Sequence, residues 1–282
     1  MRKSYNINRR KFLELFGCSC CGFFTASCGT VPITERRQLT IYPESVINRQ
    51  AAKAYENFKN SKKVKFIKEG KDLKNIITIG ERIAKSVSVF FKKKQTPDPT
   101  ENFNWEYVLV DNKKIKNAWC MPGGKIAVYS GILEVSKNKD GLAAIMGHEI
   151  AHAVAKHSVE RMSQAMAVNV TTQVVDIFTG GKVSQARNTV GRATGMDVLQ
   201  LGIMNPFGRK QETEADYLGL IFSSLAGYNI KESVKLWERM REAHKGKEPP
   251  QFLSTHPSSK NRIKNLEGWI NKVILEYPPI NI

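Results

Sequence analysis

The spacing of apolar residues along the chain predicts a mainly helical protein. Apolar positions recur every three to four residues over Glu44–Lys59 and over Leu73–Phe91, which is the period of an amphipathic helix. The same period returns later in the chain, at Asp140–Met162, Gln211–Ala226, Lys231–His244 and Ser259–Ile274. These patterns predict helices that each bury one face.

A shorter region between the helical patterns predicts strands. Trp105–Val110 and Ile115–Met121 have strand composition and are joined by a turn at Asp111–Lys114. A third strand, Lys125–Tyr129, follows two glycines. Together the patterns predict an α+β fold, with a small β-sheet beside predominantly helical structure.

Composition narrows the class of protein. The 282 residues, 41% of them hydrophobic, are enough for one sizeable domain, which we place at residues 44–282, after an extended lead-in at residues 28–43. No run of about 18 apolar residues occurs, which excludes a protein with several membrane-spanning helices. The net charge of +18 is compatible with nucleic acid or an anionic membrane as a partner. No recognised nucleic-acid-binding motif accompanies it, and we predict no nucleic-acid partner.

The first residues have the composition of an export signal. Five basic residues lie within residues 1–11, and a largely apolar stretch follows to Ala26. Asn8–Glu14 is similar to a twin-arginine signal, and Thr25–Cys28 is similar to a lipobox, with Cys28 as the lipidated residue. The alternative is a plain signal peptide cleaved near Ala26. We therefore predict an export signal at residues 1–27 and a lipoprotein anchored to a membrane in the periplasm of a Gram-negative bacterium.

The candidate chemistry lies in His148-Glu149-Ile150-Ala151-His152, inside the Ala-rich helical pattern. Residues four apart project from the same face of a helix, so both imidazoles can bind one zinc ion. Glu149 lies about 100° around the helix, where it can take a proton from a water molecule without binding the metal. This pattern predicts a zinc peptidase with His148 and His152 as ligands and Glu149 as the general base.

A zinc site of this kind needs a third ligand from the protein. Position 158 is Ser, so a third histidine six residues after His152 is absent, and His157 is interpreted as a polar helix residue. The later segment Arg209–Gly219 offers carboxylates instead, with Glu212 and Asp216 four residues apart on one face. From spacing alone, Glu212 and Glu214 remain alternatives for the ligand.

These residues resemble the HtpX and CAAX-prenyl-protease family of zinc metallopeptidases, particularly its soluble or lipid-anchored OMA-type branch. The likeness rests on His148–His152, on the later Glu-x-x-Ala-Asp-x-x-Gly and on four further segments: Gln38-Leu39 after a basic pair, Asn117–Ile126, Tyr129–Leu133, and Thr255-His256-Pro257 with Arg262-Ile263. The resemblance implies a zincin-type fold with one zinc ion per chain. It also implies that Glu212 is the third zinc ligand, Asp216 hydrogen-bonds a ligand histidine, and Glu214 is a bystander.

The remaining site predictions concern substrate and access. An edge strand beside the zinc helix can pair with an extended peptide, so Gly124, Lys125, Ile126, Ala127 and Val128 are predicted to bind substrate. His256 is predicted to stabilise the oxyanion or to be the fourth zinc ligand of a resting form. Residues 163–208 are interpreted either as a lid or as an ordinary helical hairpin.

The predicted function is an exported zinc endopeptidase that acts on protein or peptide substrates. The resemblance implies quality control of proteins in the bacterial envelope. The alternative is a zinc-containing assembly factor or holdase in which proteolysis is minor. The sequence does not indicate an oligomeric state.

Overall fold

Helices make up most of the computed structural model, which describes residues 28–165, 167, 207–244, 251–257 and 261–281. In chain order, the helices are α1 (Glu44–Lys59), α2 (Lys71–Lys93), α3 (Leu133–Ser136), α4 (Lys139–Val154), α5 (157–165), α6 (Arg209–Leu225), α7 (Glu232–His244), α8 (Gln251–Thr255) and α9 (Arg262–Glu276). The strands are β1 (Cys28–Thr30), β2 (Arg37–Leu39), β3 (Phe66–Ile67), β4 (Glu106–Val110), β5 (Ala118–Met121) and β6 (Lys125–Tyr129). The predicted α+β class is confirmed.

The four-stranded sheet has the order β3-β4-β6-β5. β6 pairs in parallel with β4 and antiparallel with β5, so its backbone is hydrogen-bonded on both sides. The prediction that Lys125, Ile126, Ala127 and Val128 form an edge strand open to substrate is therefore wrong, and β5 lies at that edge. Nor do β4 and β5 form a hairpin, although a short turn region joins them, because β6 lies between them.

Gly124, the first residue of the predicted substrate strand, has a structural reason to be glycine. Its φ is +85°, and an added Cβ would lie 2.8 Å from the Trp105 ring. Glycine alone combines this backbone conformation with so close a neighbour. The residue closes the turn between β5 and β6.

The predicted helix at Asp140–Met162 is two helices. α4 ends at Val154, and Lys156 has a left-handed φ of +55° before α5 begins. A residue in this conformation ends the regular helical rotation. The side chains of α5 therefore have a different direction from the one that a continuous helix would give them.

The lead-in is folded, and it packs against the domain. β1 and β2 pair antiparallel, with Cys28 opposite Leu39, and the connecting residues include Val31, which is 1% exposed within the main core. We name residues 31–36 the N-terminal strap. The predicted signal at residues 1–27 and most of the predicted lid lie outside the described residues.

The core is centred on the contact between α4 and α6. Nearly every residue of α4 is buried, including the polar His148, Glu149 and His152. The two helices touch through their backbones. A Cβ added to Gly219 would lie 2.9 Å from the backbone nitrogen of His148, and one added to Gly147 would lie 2.9 Å from the Gly219 carbonyl oxygen. Such a close approach is possible only without side chains, and it brings the carboxylates of α6 next to the histidines of α4.

Within the described residues, no helix combines the length and the apolar character that a membrane span requires.

Candidate metal centre

Four side chains from three parts of the chain converge in the buried core. His148 and His152 come from α4, Glu212 from the first turn of α6, and His256 from the segment after α8; one ligand atom of each lies within 4.8 Å of all the others. Their exposed fractions are between 2% and 4%. Buried polar groups of this kind need partners that compensate for the loss of water.

The distances between these atoms fit a zinc ion. In a tetrahedral site with bonds of about 2.0–2.2 Å, neighbouring ligand atoms lie about 3.3–3.6 Å apart. His148 Nε2 lies 3.1 Å from His152 Nε2 and 3.6 Å from Glu212 Oε2, and His152 Nε2 lies 3.4 Å from Glu212 Oε1. Imidazole nitrogens and a carboxylate are also the donors that zinc prefers. The residues present therefore fit the metal that the sequence predicts.

Glu149 lies beside this cluster without joining it. Its Oε1 is buried and makes no hydrogen bond within the described part of the chain, and His256 Nε2 is 3.3 Å away. Burial raises the pKa of Glu149 above its ordinary value of 4.5, although His256 and His148 act in the opposite direction. A carboxylate with an unused oxygen and a raised pKa is suited to accept and return a proton.

His256 occupies the fourth corner of the cluster. Its Nδ1 lies 3.0 Å from Glu212 Oε1 and 3.2 Å from His148 Nε2. Its ring stacks on Phe252, with 4.6 Å between the ring centroids. His256 is therefore one of the four residues that could hold a metal ion.

Asp216 lies behind the first histidine, as predicted. Its Oδ1 is 3.0 Å from His148 Nδ1, so it can orient the ring with Nε2 towards the cluster. Arg262 binds Asp216 through two nitrogens, at 2.6 and 2.8 Å, and also reaches Glu212 Oε2 at 2.8 Å. The fully buried guanidinium lies over the Trp237 ring, with its carbon 3.6 Å from the ring centroid. Arg262 thus compensates the charge of two buried carboxylates.

His157 is the residue that sequence reasoning missed. The left-handed Lys156 turns α5 so that His157 Nδ1 lies 2.8 Å from His152 Nδ1, and its Nε2 lies 3.0 Å from Glu214 Oε2. The interpretation of His157 as a polar helix residue pointing away from the site is wrong. Glu214 is no bystander either, because it is buried and also accepts hydrogen bonds from the strap residues Thr34 and Arg36.

The charges around the cluster shift the pKa values of the two motif histidines in opposite directions. Burial alone would lower the pKa of His148, but the Asp216 and Glu212 carboxylates raise it to about 9. For His152, burial dominates and lowers the pKa well below its ordinary value. Burial would raise the pKa of Glu212, but the histidines around it hold that pKa well below 4.5.

Comparison with known proteins identifies a family. A model of "Peptidase family M48" matches residues 74–270. The chain is 32% identical to "Mitochondrial metalloendopeptidase OMA1" of Schizosaccharomyces pombe over 95% of this chain and 75% of that protein, and 30% identical to the protein of that name in Saccharomyces cerevisiae over 93% and 75%. It is 25% identical to "Metalloprotease YcaL" of Escherichia coli over 55% of this chain and 58% of that protein.

These matches refine the predictions and correct one of them. The predicted zinc metallopeptidase is confirmed, while the label HtpX and CAAX-prenyl-protease is broader than the matches show. The predicted location in the periplasm of a Gram-negative bacterium is wrong, because the relatives that match nearly the whole chain carry mitochondrial names. The lipid anchor at Cys28 stays a prediction. A family model that covers residues 74–270, and a buried donor set that fits zinc, show that this chain belongs to peptidase family M48.

Proposed function

We propose that this metalloendopeptidase cleaves extended, unfolded segments of proteins, with Glu149 as the general base. The observation that carries the proposal is the buried Oε1 of Glu149, which makes no hydrogen bond among the described residues and lies next to a cluster of four zinc donors. His148, His152 and Glu212 would hold the ion. When bound, zinc lowers the pKa of a water molecule and polarises a peptide carbonyl.

Glu149 moves the proton in this proposal. Its carboxylate accepts a proton from the attacking water and returns it to the amine of the departing peptide. The raised pKa of Glu149 favours both steps, because a group whose pKa lies nearer to the working pH exchanges protons more readily. The backbone N–H of Cys120 hydrogen-bonds the Glu149 carboxylate and positions it.

The substrate would bind along β5 and not along β6. Among the described strands of the four-stranded sheet, β5 is the one at the edge nearest the cluster, and it pairs on one side only, with β6. Trp119 and Cys120 of this strand line a narrow cavity together with Glu149 and His256. Pairing with a strand edge requires an extended backbone, which supports unfolded segments as substrates.

His256 would be the fourth ligand of a closed form. Its side chain lines the cavity beside β5 and contacts Glu212, so it would compete with a scissile carbonyl for this space. Its movement would open the site. We therefore expect His256→Ala to bind zinc more weakly while it retains cleavage of short peptides; a loss of about 100-fold or more in cleavage with unchanged zinc affinity would indicate the oxyanion role instead.

One comparison tests the function. We expect the intact protein to cleave a reduced and alkylated protein much faster than the same protein in its native form. Glu149→Gln should retain one zinc ion per chain and lose cleavage by at least about 100-fold, the usual contribution of a general base. Cleavage that persists in zinc-loaded Glu149→Gln would exclude the proposed base. Binding of unfolded protein without any cleavage by the wild type would favour the holdase alternative.

The names of the relatives support a mitochondrial location, which we propose in place of the periplasm. Residues 1–27 contain five basic residues and one acidic residue, and a positively charged, acid-poor segment is also typical of mitochondrial targeting sequences. A fluorescent protein carrying residues 1–27 should enter the mitochondria of yeast. A diffuse cytosolic signal would contradict this assignment.

A further inference from the structure

We propose that His157 is a positioning residue that sets the orientation of the ligand His152, and that the N-terminal strap holds His157 in place through Glu214. The inference rests on the proposed metal site and adds residues that the ligand motif does not contain. It begins with the contact of 2.8 Å between the Nδ1 atoms of His152 and His157.

The donors and acceptors of this contact follow from metal binding. The Nε2 of His152 faces the cluster, so a neutral His152 that binds metal through Nε2 carries its proton on Nδ1. That proton can be donated only to an acceptor, so the Nδ1 of His157 must be unprotonated. His157 then carries its own proton on Nε2, where Glu214 Oε2 accepts it at 3.0 Å. The order of donors and acceptors is consistent from the metal site to the carboxylate.

Glu214 is fixed in turn by the strap. Arg36 Nε donates to Glu214 Oε2 at 2.8 Å, and the Thr34 hydroxyl donates to Glu214 Oε1. The Arg36 guanidinium also binds both oxygens of Glu160 in α5, at 2.7 and 2.8 Å. Arg36 therefore ties α5, which carries His157, to α6, which carries Glu212 and Glu214.

Burial makes this chain of contacts rigid. The side chain of His157 is 0% exposed, and the side chains of Glu214 and Glu160 are 5% and 6% exposed. Water cannot readily replace a lost partner at such sites, so each group depends on the next one. Outer partners of metal-binding histidines typically change metal affinity by about 10–100-fold when they are removed.

Two substitutions at position 157 separate positioning from packing. The side-chain oxygen of Asn lies close to where the His Nδ1 was, so His157→Asn keeps an acceptor for His152 and loses the contact with Glu214. His157→Gln reaches the position of Nε2, so it keeps a donor for Glu214 and loses the acceptor for His152. We expect zinc affinity to fall about 10–100-fold in His157→Gln and only a few-fold in His157→Asn.

The measurements use the intact protein and do not depend on peptidase activity. Zinc affinity is obtained by competition with a chromophoric chelator, and the visible absorption bands of the cobalt-substituted protein report the ligand geometry. We expect the bands to shift in His157→Gln and to stay close to wild type in His157→Asn. Equal zinc affinities for the two variants, or tighter binding by His157→Gln, would overturn the proposal.

Two further variants test whether zinc affinity depends on the contacts from His152 through His157 and Glu214 to the strap, or only on the stability of the protein. Glu232→Gln breaks another buried carboxylate–arginine contact, Glu232 with Arg239 at 2.8 Å in α7, and should lower the melting temperature without changing zinc affinity. If it weakens zinc binding as much as His157→Gln does, lost stability explains both results and the proposal fails.

Arg36 is 27% exposed, so Arg36→Ala is expected to fold even where the His157 variants do not. Its zinc affinity should fall several-fold, and an unchanged affinity would overturn the role of the strap. If Glu149→Gln retains activity while these results hold, the proposed base fails and the positioning role stands.

Discussion

The two histidines of the motif lie one helical turn apart, yet the structure supports them in different ways. His148 faces a carboxylate directly, because Asp216 Oδ1 lies 3.0 Å from its Nδ1. On the side away from the cluster, the Nδ1 of His152 faces the imidazole of His157 and reaches the Glu214 carboxylate only through it. Both rings contact Glu212, but the Nδ1 of His148 faces a carboxylate and the Nδ1 of His152 faces an imidazole, so the same residue type in one motif has different electrostatic surroundings.

The difference appears in the pKa values of the metal-free protein. Burial favours the neutral form of both rings. At His148 the Asp216 and Glu212 carboxylates together overcome this effect, whereas at His152 the Glu212 carboxylate does not. His148 is therefore expected to carry a proton at neutral pH when no metal is bound, whereas His152 is ready to bind. Zinc binding then displaces a proton mainly from the His148 side of the site.

Removal of either motif histidine should cause the largest loss of zinc affinity, and the loss should be similar for His148 and His152. His148→Ala and His152→Ala each delete a direct donor, so zinc affinity should fall by more than the roughly 100-fold that marks the loss of an outer partner. Chelator competition and metal content measure this loss, with Glu149→Gln as the control that keeps all donors. A variant lacking His152 that still binds zinc as tightly as wild type would remove His152 from the ligand set.

The pH dependence of the free energy of unfolding should reveal the difference between His148 and His152. In the metal-free protein the pKa of His148 is raised from 6.5 to about 9, so its contribution to stability is complete below pH 6.5 and is lost as the pH rises towards 9. The loss in the free energy of unfolding is on the order of 3 kcal/mol. Urea unfolding of the metal-free protein at pH 6.5 and at pH 9 measures it.

The zinc-loaded protein is the control for this experiment. Zinc takes the place of the proton on His148, so the free energy of unfolding should not fall in the same way between pH 6.5 and pH 9. Asp216→Asn should also reduce the effect, because the hydrogen bond to the Asp216 carboxylate is the largest contribution that raises the pKa of His148. Parallel pH dependence in the metal-free and zinc-loaded proteins would contradict the assignment.

The smallest effect is expected at Thr34, which supports His152 only indirectly, through Glu214 and His157. Thr34→Val removes one hydrogen bond, from a hydroxyl to the Glu214 carboxylate, which Arg36 and His157 continue to hold. The free energy of unfolding should fall by about 1.5 kcal/mol, the low end for a hydrogen bond to a charged group, and zinc affinity should stay within about threefold of wild type. A loss of zinc affinity as large as that of Arg36→Ala would show that Thr34, and not the charge of Arg36, fixes Glu214.

The sequence predicted those parts of the site that depend on local periodicity. His148, Glu149 and His152 lie where a regular helix places them, and α4 is regular from Lys139 to Val154. The later carboxylates were also correctly placed on one helix, α6. Both predictions depend on a repeat of about 3.6 residues, and that repeat is a property of neighbouring residues alone.

The features that escaped prediction depend on single backbone angles or on distant pairing. The left-handed Lys156 moves His157 into the site, and nothing in the residue type of a lysine indicates a positive φ. The position of β6 between β4 and β5 follows from contacts across the sheet, which the alternation of residues within each strand does not contain. The strap escaped for the same reason, since its partners Glu160 and Glu214 lie more than a hundred residues away.

The backbone contact between Gly147 and Gly219 has a consequence for metal selectivity. Because the two helices already touch, the distance from the histidines of α4 to Glu212 is set by main chain and not by side chains that can repack. Zinc, with bonds of about 2.0–2.1 Å to nitrogen, fits this spacing. Ca²⁺, which requires six to eight oxygen ligands at about 2.3–2.6 Å, does not fit a cluster of three imidazoles and one carboxylate. The two glycines thus contribute to metal selectivity by setting the spacing of the ligands, although neither glycine binds the ion.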